Sequence, residues 1–416
     1  MKESALMLMA LSGILLCVLP SAAAFTLDIF GNANMDDTID ENDATFVQGI
    51  INGTNKPTEL ADANYDGKID EKDIAQIELI IRGEEKNLTI MQYIQPTSAP
   101  KVTRTPVKVP LPIKSIAALS GTYGPEMLCV LGDADKIVAV TDSAKTRAEI
   151  SNMIKDKATV GSTFEWDMEK ILQLKPDIVL AYASYDYSKQ REILQAAGIT
   201  LIQMNFHKPE AYAGEARNLG WLLGKKERVE KLISFEKDHI DFIDEKLKGL
   251  KDSERPAVYA ESYKDFQYSS GSTSVTASIK PCGGMDIFGD LNGTNIEIDP
   301  EKVISENPQV ILKMTAHNYV SDSGYGAENT TQMEAKVNEI ENRTGWSNID
   351  AVKNVRVYII SSDAASIHPS IFNSYVAKWL HPELFGDMDP VAIHREWLKE
   401  FLGIEFKGVF GYPLLK

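Results

Sequence analysis

Cysteine is nearly missing, with three residues in 416. Cys17 lies inside an apolar N-terminal run, and Cys129 and Cys282 stand too far apart to read as a disulfide framework; each has the small or apolar neighbours of a packed thiol. Positive charge is also scarce. Forty-three Lys and Arg against 60 Asp and Glu leave a net charge of −17, which argues against a nucleic-acid partner because phosphates demand clustered cations. The same balance suits calcium and repels anionic ligands at long range. No G-x-S-x-G elbow, H-E-x-x-H pair or Gly-rich phosphate loop occurs, so a binding protein is expected rather than an enzyme. Beyond residue 24 no segment approaches the ~20 uninterrupted apolar residues of a membrane span.

Residues 1–24 have the form of an export signal: Lys2 in a charged start, an apolar run from Ala5 to Leu19, and Ala22 to Ala24 as a small-residue cleavage site before Phe25. Leu16, ahead of Cys17, is larger than a lipid-attachment signal favours, so cleavage is expected over lipidation. The mature chain is placed outside the cytoplasmic membrane, secreted or at the cell surface, with retention of the signal as a tether the alternative. Asn-x-Ser/Thr acceptors at Asn52, Asn87, Asn292, Asn329 and Asn342 agree with that location.

Residues 25–87 hold a tandem repeat. Asn32, Asn34, Asp36, Asp40 and Asp43 in one copy, and Asp62, Asn64, Asp66, Asp70 and Asp73 in the other, put oxygen side chains at loop positions 1, 3, 5, 9 and 12. Calcium takes six to eight oxygens, and a loop of this spacing wraps them around the ion, with Ile39 and Ile69 as apolar anchors. Helix-period apolar residues follow each loop. The second loop has Gly67 at its bend, where the first has Asp37 and also opens on Asn32; weaker binding is expected there. Acids at position 12 and a helix on the far side only make the pair similar to a dockerin module, which implies a protein partner. Residues 88–112 are proline-rich and read as an extended spacer.

From Ile113 onward strand-like runs alternate with helices, the pattern of parallel sheets covered by helices. Strands are predicted at 115–119, 137–140, 177–181, 200–204, 257–260, 309–314 and 355–361. An uninterrupted apolar helix period over 225–251 separates two clusters of them. The expected fold is α/β: two Rossmann-like lobes, 113–224 and 252–416, joined by one long rigid helix and preceded by a small all-α module.

A second repeat links the lobes. Asp167 to Leu180 (DMEKILQLKPDIVL) returns at Asp299 to Leu312 (DPEKVISENPQVIL), each an Asp-capped helix, a proline and a buried strand. Glu169 and Glu301 fall in the two first helical turns, where the helix dipole favours an anion. With the stretches at 112–140, CGGMDIFGD and WSNIDAVKNVRVYII, the segment from residue 113 resembles the helical-backbone substrate-binding proteins of ABC importers for iron–siderophores, haem and cobalamin. The tail from Ala377 is similar to an extension of archaeal members. That resemblance implies capture of a ferric chelate, haem or corrinoid between the lobes and docking of Glu169 and Glu301 on a permease dimer.

Ligands of α/β sheets sit beyond the carboxyl ends of strands. Reading there gives Tyr123, Trp166, Tyr185, Tyr187 and His207 in the first lobe, and Tyr263, Phe266, His317 and Tyr319 in the second. Flat aromatic side chains with polar tips suit a bulky chelate or macrocycle. Few cations accompany them, chiefly Lys208 and Lys264, which disfavours a strongly anionic tris-catecholate. His394 and Trp397 read as packing. The competing reading is a calcium-dependent cell-surface assembly protein whose large domain no longer serves transport.

Overall fold

The computed structural model describes residues 27–96, 101–271 and 274–415; the export-signal segment lies outside them. Strands run in chain order as β1 (Asn87–Ile94), β2 (Thr103–Pro110), β3 (Ile116–Ala118), β4 (Ile137–Val140), β5 (Ala158–Thr159), β6 (Ile178–Ala181) and β7 (Thr200–Gln203). The later ones are β8 (Ala257–Glu261), β9 (Gln267–Tyr268), β10 (Met285–Asp286), β11 (Ile296–Glu297), β12 (Val310–Thr315), β13 (Val357–Ser361) and β14 (Gly411–Tyr412). The first lobe is an all-parallel sheet of order β5-β4-β3-β6-β7. The second has the order β10-β8-β12-β13-β14, parallel except for β14. Their inner strands are buried on both faces, hence the near-continuous Ile, Val, Leu and Ala runs.

The interlobe helix spans Lys226–Leu247, 22 residues or roughly 33 Å. Val229, Leu232, Ile233, Ile243 and Leu247 form its buried stripe. It has help in holding the lobes. Arg228 donates to the Val130 carbonyl of the first lobe and, at 2.8 Å, to the Phe401 carbonyl of the C-terminal tail, while Glu236 accepts the Ser370 N–H at 3.0 Å at the start of the helix Pro369–Leu380. The tail is therefore a brace, with Trp397 and His394 fully buried and Trp397 against His368 at 4.4 Å between rings.

Both copies of the long repeat fold alike. Asp167 accepts from the Lys170 N–H at 3.0 Å and Asp299 from the Glu301 N–H at 2.9 Å. Each cap opens a seven-residue helix, Met168–Leu174 or Pro300–Glu306. Lys175 (φ 48°) and Asn307 (φ 47°) end these helices in the left-handed region, ahead of Pro176 and Pro308, and an interior strand follows, β6 or β12. Glu169 and Glu301 are exposed in the matching first turns.

The proline-rich stretch is not a spacer. β1 and β2 pair antiparallel from Asn87↔Pro110 to Ile94↔Thr103. Among the described strands β2 pairs with β1 alone, so Pro106 and Pro110 lie on an edge strand, where a missing N–H is tolerated. The hairpin caps the open edge of the first lobe: the Gln203 N–H of β7 donates to the Gln92 side chain, and the Gln95 N–H donates to the Ala183 carbonyl at 2.9 Å. Residues 28–30 extend it through Phe30 N–H to Thr89 O and Met91 N–H to Asp28 O.

The front loops, each leading into a helix (Glu41–Ile51 and Glu71–Arg82), are thereby docked on the first lobe. Arg217 of that lobe holds Asp37 at 2.9 Å and Glu230 at 2.6 Å, and Asn218 accepts the Asp28 N–H.

Buried charge in the second lobe is paired. Glu261, at the end of β8, takes both Arg343 nitrogens at 2.7 and 2.9 Å and Lys313 at 2.9 Å. Burial alone would raise its carboxyl, but the Arg343 hydrogen bonds and the Lys313 charge hold it below the ordinary glutamate range. Its contribution to stability is present above the unfolded value of about 4.3 and is lost as pH falls through the lower folded value. Glu261→Gln leaves two cations short of a partner and should cost about 3–5 kcal/mol, read by urea unfolding at pH 7. Glu236 has the opposite sign: burial pushes it up to about 8, so the fold loses stability as pH rises toward that value. Glu236→Gln keeps the acceptor for Ser370 and should flatten the fall in melting temperature between pH 5 and pH 8.5; an unchanged slope would assign that fall to other groups.

Candidate functional site

Strand ends from both lobes meet at a cavity of about 800 Å3. Tyr123 follows β3, His207 follows β7, Tyr263 follows β8 and His317 follows β12, and all four line it. Parallel strands deliver these residues together because successive crossovers return each strand with its carboxyl end on the same side of the sheet. His207 stacks on Tyr123 at 5.0 Å and meets the edge of Tyr182 at 5.5 Å. Its Nδ1 is buried without a hydrogen-bond partner, and burial, with Lys208 adding to it, lowers the imidazole to about 4, so the ring is neutral at physiological pH. Burial likewise pushes the Tyr123 phenol up to about 12. Hydroxyls dominate the opposite wall, with Ser262, Ser269, Ser270, Ser274 and Thr294 joined by Asn295.

Arg147 and Asp363 are the charged residues lining the cavity among those described, and they neutralise each other. Arg147, from the loop after β4, reaches across the interlobe floor to the Asp363 carboxylate at 3.0 Å and to its carbonyl at 2.9 Å. Behind it stand Glu126 at 3.3 Å and Glu149 at 3.4 Å, both buried. Burial would weaken the guanidinium's hold on its proton, but these three carboxylates more than reverse that. Burial, with the neighbouring acids, pushes Glu149 up to about 8 against the pull of Arg147, so it carries its proton at neutral pH. Ser366 donates to Glu126 from the second lobe. Gly324 (φ 82°) packs against Asp363 so closely that a Cβ would stand 1.9 Å from Oδ2.

Five residues expected at the ligand lie outside this lining. Trp166, Tyr185 and Tyr187 form an aromatic group packed on the first-lobe core instead, away from the residues that line the cavity. Phe266 sits under the Arg343 guanidinium at 4.2 Å and packs on the second-lobe core. Tyr319 stacks on the outer face of Tyr263 at 5.2 Å and stays exposed. Lys208 and Lys264 are also absent from the lining. Sequence reading missed Arg147, whose loop position carries no strand-end signal.

In the front loops the acids bond to the loops' own N–H groups. Asp43 accepts from Asn34 and Asp40, and Asp73 from Asn64 and Asp70. Asp62 accepts from Asp66 and Gly67. Asn64 Oδ1 is buried without a partner, a donor set with room for a cation. Asn32 instead spends its amide on the Leu27 and Asp36 carbonyls. Among the described residues no three His, Cys, Asp or Glu side chains converge as a metal group.

Residues 116–364 match the model of the periplasmic binding protein family. An uncharacterized ABC transporter substrate-binding lipoprotein, YvrC, of Bacillus subtilis is 26% identical over 272 residues, covering 63% of this chain and 78% of its own. The vitamin B12-binding protein of Vibrio campbellii is 23% identical over 253 residues, covering 61% and 82%. Among solved structures, the TroA-like periplasmic binding protein FepB of Veillonella parvula superposes with a TM-score of 0.63 at 24% identity, over 73% of this chain and 96% of its own, and so supports the fold. No helix among the described residues is long and apolar enough to cross a membrane. Two α/β lobes around one cavity agree with the matched family: the chain belongs to the periplasmic binding proteins and is a substrate-binding protein of the ABC-importer type.

Proposed function

We propose that the chain captures a metal-centred macrocycle or chelate of low charge outside the cytoplasmic membrane, a corrinoid before a ferric siderophore or haem, and delivers it to an ABC permease dimer. The observation that carries this is the self-neutralised floor: the single guanidinium among the described lining residues already faces the Asp363 and Glu126 carboxylates and the protonated Glu149. A trianionic ferric tris-catecholate would have to take Arg147 from buried acids, at a desolvation cost. An uncharged, amide-fringed corrinoid instead meets serine hydroxyls and aromatic faces. The B12-binding relatives support the same choice. Titration of purified protein should give a Kd of about 1 μM or tighter for cyanocobalamin and no saturation with a ferric tris-catecholate; the reverse order would overturn the assignment.

Glu169 and Glu301 are proposed as the permease contacts, exposed at equivalent positions of the two lobes. Glu169→Lys with Glu301→Lys should abolish uptake while ligand affinity stays unchanged. Uptake at the wild-type rate would remove importer docking through these residues.

The front module is proposed to bind calcium, the second loop more tightly than the first, with Asp62, Asn64, Asp66, Asp70 and Asp73 as the side-chain ligands. The unpartnered Asn64 oxygen supports the second loop, and the first opens on the single neutral amide oxygen of Asn32, which already accepts the Asp36 N–H at 3.1 Å, where the second has the Asp62 carboxylate. A dockerin-type protein partner for this module is part of the same proposal. Calcium should raise the melting temperature, and Asp62→Ala with Asp66→Ala should remove most of that rise; a rise untouched by the double substitution would place the ion elsewhere.

A further inference from the structure

A turn over residues 262–267, which follows β8, gives the second-lobe wall of the cavity Ser262 and Tyr263. The turn closes on itself through the Ser262 N–H, which donates to the Gln267 carbonyl at 2.6 Å. Its tip is held from outside the cavity. Asp265, which is not part of the lining, meets Arg343 at 3.1 Å, Lys313 at 3.3 Å and Lys336 at 3.4 Å.

Exposed ion pairs add little to a fold, but two of these cations are not exposed: the side chains of Lys313 and Arg343 are 2% and 9% accessible. Both are bound to Glu261, one carboxylate against two buried charges. Asp265 supplies the second carboxylate. An unmatched buried cation is costly, so charge in this lobe is balanced only while the turn that carries Tyr263 stays folded onto the cluster.

Phe266 adds a strained joint. Its φ of 54° lies in the left-handed region, unfavourable for a bulky side chain and sustained only where the surroundings enforce it. Its N–H donates to Glu261 at 3.0 Å, its carbonyl accepts the Ile298 N–H at 2.8 Å, and its ring lies under the Arg343 guanidinium at 4.2 Å. The group that receives Asp265 thus also enforces the bend beside it. On the facing wall, burial first and Tyr263 next raise the phenol of Tyr123, so the two tyrosines stand within electrostatic reach across the cavity.

We propose that Asp265 is a positioning residue for solute binding: its carboxylate, anchored on Lys313 and Arg343, holds Tyr263 at the spacing from the first-lobe wall that the solute needs. Asp265 acts through that ring and touches no solute. The inference rests on the cavity being the solute site, with cyanocobalamin as its probe.

Asp265→Asn removes the charge and keeps the shape of the side chain. Cyanocobalamin should bind this variant about tenfold more weakly, a coupling of the size found between residues in contact. Tyr263→Ala should weaken binding too, and adding Asp265→Asn to it should lower affinity no further. Hydrogen exchange needs no solute: in Asp265→Asn the Ser262 and Phe266 amides should exchange faster while the Ile311 amide of β12 keeps its rate. Wild-type affinity in Asp265→Asn, or the same fold-loss with and without Tyr263, would overturn the inference and leave the cavity reading intact. Unchanged exchange at both turn amides would overturn it as well, and so would equally faster exchange at Ile311, which would make the effect one of overall stability. Failure of the wild type to bind cyanocobalamin would reject the macrocycle reading instead, and the exchange rates would then decide the positioning role alone.

Discussion

The cleft depends on one buried arginine. Arg147 ties the first lobe to Asp363 of the second, with Glu126 and the protonated Glu149 behind it. Removing an arginine from water is unfavourable unless it is paired; Asp363 and Glu126 accept from its terminal nitrogens at the junction of the lobes, while its Nε makes no hydrogen bond and stands 3.3 Å from Glu126 and 3.4 Å from Glu149. The cavity above is consequently close to neutral, and the surface left for a solute is aromatic and hydroxylated. Specificity would come from shape and flat contacts rather than from charge.

A neutral floor serves such a protein only if the walls keep their separation. The interlobe helix supplies a continuous strut, and the C-terminal tail adds a second connection through Arg228, Phe235 and Trp397. The hairpin closes the exposed edge of β7, and the front module is held to the first lobe by the Asp37–Arg217 pair. Large closure motions are disfavoured by this bracing, because opening would separate Glu236 from Ser370 and Arg147 from Asp363.

Local chemistry was legible in the residues, and long-range pairing was not. The Asp caps, the seven-residue helices and the prolines of the duplicated unit are decided within ten residues, so both copies read correctly, as did the strut from its apolar period. Residues 88–112 misled because five prolines signal an extended chain, whereas their strand pairing depends on a partner on the far side of the turn and on an open edge at β7. Strand ends located Tyr123, His207, Tyr263 and His317, since parallel topology sends them to one side. The same rule misplaced Tyr185 and Tyr187, because it cannot tell which way a loop turns after leaving the sheet. Arg147 carries no periodic or capping signal, and its role across the lobes arises from Asp363, 216 residues away in the chain.

Protein purified from its native host carries whatever the cleft selects there. Its absorption spectrum and metal content test the low-charge macrocycle most directly. A corrinoid spectrum with stoichiometric cobalt is the expected result. A colourless, metal-free protein holding a stoichiometric oxyanion or carboxylate would contradict it, because such a ligand would need the one guanidinium that Asp363, Glu126 and Glu149 already hold.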